Sequence, residues 1–131
     1  MSALTDFLET EVLDHLFGKG AYNSPSIYVA LFSASPTDSS SGTEIVTGAS
    51  YARVWSASWD TAAAGATENS SAITFPQATA SYNVVAVALM DGSTVGCATN
   101  MLWYGRLSTS RAVAANDTFE FAASAIDVTL D

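Results

Sequence analysis

Positive charge is what this sequence has least of. Lys19, Arg53, Arg106 and Arg111 are its only basic residues against 13 acidic ones, a formal net charge of -9. Four cations in so negative a field build no phosphate-tracking surface, which excludes nucleic acid as a partner. The same repulsion excludes an anionic membrane surface. The single cysteine, Cys97, allows no internal disulfide. In the run Val95-Gly96-Cys97-Ala98 it reads as a small buried hydrophobe with no base to activate it. One His and one Cys leave no ligand set for zinc. Long apolar runs are missing as well, and nothing approaches the roughly 18 residues of a membrane span. The start of the chain carries Asp6, Glu9, Glu11 and Asp14 and lacks both the basic and the apolar regions of a secretory signal. Charge of either sign is scarce, at 13% of residues, where water-exposed surfaces usually carry about 25–35%. Ser, Thr and Ala fill the gap, and the expectation is a surface partly hidden against other subunits.

What is abundant is apolar. Hydrophobic residues make up 49% of the 131 and aromatics 11%. That excludes disorder and fits one domain over 1–131, large enough to bury about two-thirds of its surface without disulfides or metals. One amphipathic helix is expected over about 3–17, where Leu4, Phe7, Leu8, Val12, Leu13, Leu16 and Phe17 recur at helical spacing. Ser2 or Thr5 would cap it, and Gly18 supplies a left-handed stop. Beyond Gly20 the pattern is β. A continuous apolar run over 26–33 predicts a central strand covered on both faces. Residues 35–50 read as a long polar loop, and 51–59 alternate as a strand. Further strands are expected over 71–75, 83–90, 101–107, around 113, over 118–121 and over 126–130, with Asp91-Gly92 as a turn and a short hairpin through 95–98. One helix and seven to nine short strands predict a mainly β fold, an antiparallel β-sandwich or jelly-roll-like barrel.

Catalytic chemistry finds no carrier. His15 is paired by spacing with Glu11 on the helix surface, and no Gly-x-Ser-x-Gly elbow accompanies it. Asp60, Glu68, Asp91, Asp117, Glu120 and Asp127 fall at turns or exposed strand positions, as solvated acids do, and form no recognisable glycosidase pair. Asp38 and Glu44 lie in a loop without the spacing of a calcium loop. No enzyme, cofactor or metal is expected. Aromatic residues remain: Tyr51, Trp55, Trp59, Tyr82, Trp103 and Tyr104 suit a core, an interface or, as an alternative function, a carbohydrate-stacking platform.

The order of short motifs along the chain resembles a family of small bacteriophage virion proteins, tail-fibre-like or capsid-decorating. The likeness runs through Leu13-Asp14-His15-Leu16-Phe17-Gly18, Tyr28-Val29-Ala30-Leu31-Phe32, Gly42-Thr43-Glu44, Tyr51-Ala52-Arg53, Asn69, Ile73-Thr74-Phe75-Pro76-Gln77-Ala78-Thr79, Tyr104-Gly105 and Asp117-Thr118. Asn116 stands where the family often has Gly, and Tyr82-Asn83 where it tends to have Trp-Gly. The resemblance implies a structural protein of the virion, synthesised in the host cytoplasm. The expected role is a capsid cement protein that binds the outside of the head and bridges major capsid proteins and copies of itself, with a trimer the obvious arrangement. A tail fibre or baseplate component is the alternative. Candidate partner-contacting residues are Leu4, Phe7, Leu8 and Val12 of the helix and Asp38, Thr43, Glu44, Ile45 and Val46 of the polar loop, which was expected to order on contact.

Overall fold

The computed structural model of the chain describes residues 2–39, 42–46, 48–96 and 100–130. In chain order the elements are β1 (Ser2–Leu4), α1 (Asp6–Leu16), β2 (Tyr28–Ala34), β3 (Thr43–Glu44), β4 (Val54–Trp55), β5 (Ala66–Glu68), β6 (Ile73–Thr74), β7 (Tyr82–Met90), β8 (Met101–Val113), β9 (Glu120–Phe121) and β10 (Asp127–Thr129). A six-stranded sheet runs β1-β8-β7-β2-β3, with β4 also on β2, and two short ribbons pair β5 with β10 and β6 with β9. Every pairing is antiparallel. Among the described residues the strands do not close into a barrel, and the architecture is consistent with a β-sandwich.

Alternation along the central strands explains the layers. Val29, Leu31, Val87, Leu89 and Trp103 share one core with Ile73, Phe75, Ala78 and Ile126 from the ribbon side. Ala30, Phe32, Ala86, Ala88, Met90, Met101 and Tyr104 form a second core on the opposite face. Both faces of β2 and β7 are thus dry, which is why these two strands read as unbroken apolar runs. Phe75 anchors the first core. Its ring stacks near Tyr51 and meets Phe119 and Phe121 edge to face at centroid distances of 6.0–6.3 Å, a favoured geometry for aromatic quadrupoles.

Four expectations are corrected. The helix does not begin at residue 3: Ser2–Leu4 pairs with Trp103–Gly105 as an edge strand. Thr5 then caps the helix, accepting from the Leu8 amide while its hydroxyl donates to the Met101 carbonyl. Residues 51–59 form only a two-residue strand plus an isolated bridge from Trp59 to Asn69. The strands expected at 101–107 and 113 are one strand, β8, carrying a large bulge. Val84 faces Arg111 and Ala86 faces Arg106, so residues 107–110 stand opposite Val85 alone. Val95 and Gly96 lie in a turn with Gly96 at φ +82° instead of a hairpin strand. Cys97 and Ala98, and with them the reading of Cys97 as a buried hydrophobe, lie outside the described residues. Gly18 and Asn116 do take the left-handed conformation, at φ +69° and +73°.

Candidate interaction surface

The polar segment 35–50 is held by its own chain. β3 and β4 share one edge of β2, end to end, leaving a gap in the ladder at Leu31. An unpaired backbone group there is costly, and the gap is filled from both sides. The Leu31 amide donates to the Tyr51 hydroxyl at 2.9 Å, and the Leu31 carbonyl accepts from the Ile45 amide at 3.0 Å. The Tyr51 hydroxyl in turn donates to Glu44 Oε1 at 2.9 Å.

Glu44 is the centre of this cluster. Arg53 meets it through both carboxylate oxygens, Nε to Oε1 at 2.8 Å and Nη2 to Oε2 at 2.9 Å. The Gly96 amide adds a bond to Oε2 at 2.7 Å, and Arg53 Nη1 reaches the Gly92 carbonyl at 2.7 Å. Both side chains are almost completely buried. A buried pair of this kind survives only when geometry is good and the remaining donors and acceptors are met. Here it ties β3, the approach to β4 and the loop after β7 into one unit. Tyr51 stays neutral in this setting, since burial first, and the nearby Glu44 charge as a further cause, push its pKa up.

Two further polar pins do the same work. Asn69 is fully buried, donates to the Ser71 and Ala122 carbonyls at 2.9 Å each and accepts from the Ile126 amide at 2.8 Å. It joins the β5 region to the segment before β10. Tyr104 donates to Asp38 at 2.9 Å, fixing residues 35–39 beside the sheet. Next to it, Gly105 is required by packing: a Cβ there would meet Trp103 Cη2 at 2.6 Å. Gly42 is more constrained, with φ +60° and backbone atoms of Ala34 and Pro36 within 2.6 Å of any Cβ.

The candidate contact residues therefore divide. Glu44 and Ile45 are internal, and Leu4, Phe7 and Leu8 are partly buried, the two helix residues against the first core. The Asp38 carboxylate is taken by Tyr104. Thr43, Val46 and Val12 are exposed. The segment is pinned at 38, 44, 45 and 49, the last through the Thr79 amide on the Ala49 carbonyl, so its described part is already ordered. Residues 40, 41 and 47 are outside the description. The three tryptophans make no common platform: Trp103 is in the core, Trp59 is partly buried with its Nε1 on the Ser56 carbonyl, and Trp55 alone is exposed.

Two further surface features stand out, the first of them without any signal in the sequence. A groove of about 750 Å³ lies between the β8 bulge and residues 117–127, bordered by Arg106, Arg111, Asp117, Glu120 and Asp127. It mixes both signs of charge and presents no single-sign field. The other feature is the last turn of α1. Leu13, Leu16 and Phe17 are 55%, 71% and 69% exposed, on the side of the helix away from Phe7, Leu8 and Glu11. Helical spacing itself is the signal: it sets Leu13 and Leu16 opposite Phe7 and Glu11, so the apolar residues expected along one stripe lie on two faces.

Among the described residues no group of three His, Cys, Asp or Glu is placed to hold a metal ion. What the fold and its surface define is a β-sandwich-type domain whose buried polar groups lock loops and whose surface carries one groove of mixed charge and one apolar ridge. Comparison with known families gives the membership directly. The family model of podophage GP4 fiber I protein gp80 matches residues 3–129, and the chain belongs to this family. It is a bacteriophage structural protein of fibre-like type. Comparison with curated proteins gives no match.

Proposed function

We propose that the chain is a non-enzymatic component of the phage tail, a fibre-type module that joins other virion proteins by surface contact. The observation that carries this reading is the fibre-family match over residues 3–129. The fibre description supports the tail alternative better than the capsid cement role drawn from the resemblance. The architecture agrees with a structural task. The polar residues of the interior, Glu44, Arg53, Tyr51 and Asn69, are all engaged in bonds within the chain.

Purified virions provide the test. Quantitative proteomics is expected to find far fewer copies of this chain than of the major capsid protein, and gold-labelled antibody is expected to decorate the tail. Copy numbers close to those of the major capsid protein, with label over the head, would overturn the tail reading in favour of cement.

A further inference from the structure

In the last turn of α1, His15 Nδ1 accepts from the Tyr22 amide, whereas Leu13, Leu16 and Phe17 belong to neither core. Leu16 and Phe17 lie three and four residues beyond Leu13, so both neighbour it and the three make one ridge. Single exposed apolar residues such as Val46, Trp55 and Leu130 are ordinary, but three clustered on one ridge mark a contact site. The helix itself is firmly seated. The Thr5 amide donates to the Leu102 carbonyl at 3.1 Å, and Phe7 packs edge to face on Tyr22 at 6.3 Å. The ridge is thus carried on a rigid mount.

Charge around the ridge selects the partner. Helical spacing puts Glu9 in line with Leu13 and Leu16 on the outward stripe, with Asp6 beside it. Asp14 lies three residues before Phe17 and adds a further acid beside the ridge, with Lys19 the nearest Lys or Arg in sequence. A second copy of this chain is a poor occupant. It brings the same acids and a net charge of -9 of its own, so like charges would face one another across the contact.

Resting on the virion reading above, we infer that the Leu13-Leu16-Phe17 ridge is an anchor that inserts into an apolar socket rimmed by Lys or Arg on a different virion protein. Apolar insertion supplies the affinity, and the acids beside the ridge steer and orient docking.

The experiment uses phage particles grown without this chain and the purified full-length protein. Bound protein is measured on sedimented particles by quantitative mass spectrometry. Wild type is expected to load, with loading that falls as salt rises. Leu16→Asp with Phe17→Asp is expected to lose about tenfold or more in apparent affinity, and Glu9→Lys to load more weakly with a flatter salt dependence. The milder Leu13→Ser with Leu16→Ser, checked for an unchanged melting curve, gives the same answer without new charge. Trp55→Asp, an exposed apolar residue elsewhere, is expected to load like wild type. Loading of both ridge variants at the wild-type level, or a wild-type dimer in sedimentation that Leu16→Asp dissociates, would overturn the inference while leaving the virion reading intact. Failure of wild type to load at all would count against the virion reading itself.

Discussion

Two regions of this molecule reverse the usual partition of polarity. Around residues 44–53 a carboxylate and a guanidinium are buried, while the end of α1 holds two leucines and a phenylalanine out to solvent. The difference teaches that burial follows satisfaction, not residue type. Glu44 and Arg53 can be inside because Tyr51, Gly92 and Gly96 complete their hydrogen bonding. Leu13, Leu16 and Phe17 are outside because the helix face that meets the core is already filled by Phe7 and Leu8.

The comparison is broken most severely by removing one member of the buried pair. Arg53→Met leaves an uncompensated carboxylate and is expected to cost about 3–5 kcal/mol, read from urea midpoints. Adding Glu44→Leu to it should recover part of that loss, since the orphaned charge goes too. Asn69→Ala strips partners from the Ser71 and Ala122 carbonyls and the Ile126 amide, and about 3 kcal/mol of destabilisation is expected in the same assay.

Alkaline pH gives a smaller, graded effect. The pKa values of Tyr51 and Tyr104 are raised, chiefly by burial. The native state therefore keeps protons that the unfolded chain releases above about pH 10. Stability is fully present below that pH and falls as pH rises above it. Urea midpoints between pH 9 and 11.5 should show the decline, with a shallower slope in Tyr51→Phe. At the other end, Leu16→Ser and Phe17→Ser should change stability by no more than about 0.5 kcal/mol. A large loss of thermal stability there would show that the ridge serves the fold after all.

The sequence was most readable where one physical rule acted alone. β2 and β7 announced themselves as unbroken apolar runs because both faces are buried, and Gly18 and Asn116 marked left-handed turns. It was least readable where distant chain supplied the rule. Ala3 and Leu4 look like a first helical turn, yet the edge of β8 takes them as a strand. Residues 107–110 gave no sign that they oppose Val85 alone. The Glu44–Arg53 pair needs β3 and β4 on the same edge of β2 before it exists, so Glu44 and Ile45 were read as surface. Much of the family likeness falls on such internal positions. Glu44, Tyr51, Arg53, Asn69, Phe75 and Gly105 each hold the interior, and Gly42 holds a turn, so the likeness transmits the fold more directly than any docking site.

Thr5 has a mechanical consequence. Its amide and its hydroxyl both bond to β8, at the Leu102 and Met101 carbonyls, immediately between β1 and α1. A pull applied to the helix by a bound neighbour reaches the sheet through this residue as well as through the packing of Phe7 and Leu8. Any component of that pull along β1 is shared by the β1–β8 ladder bonds acting side by side. Such bonds must be sheared together instead of being unzipped one after another, so the mount is suited to sustained load.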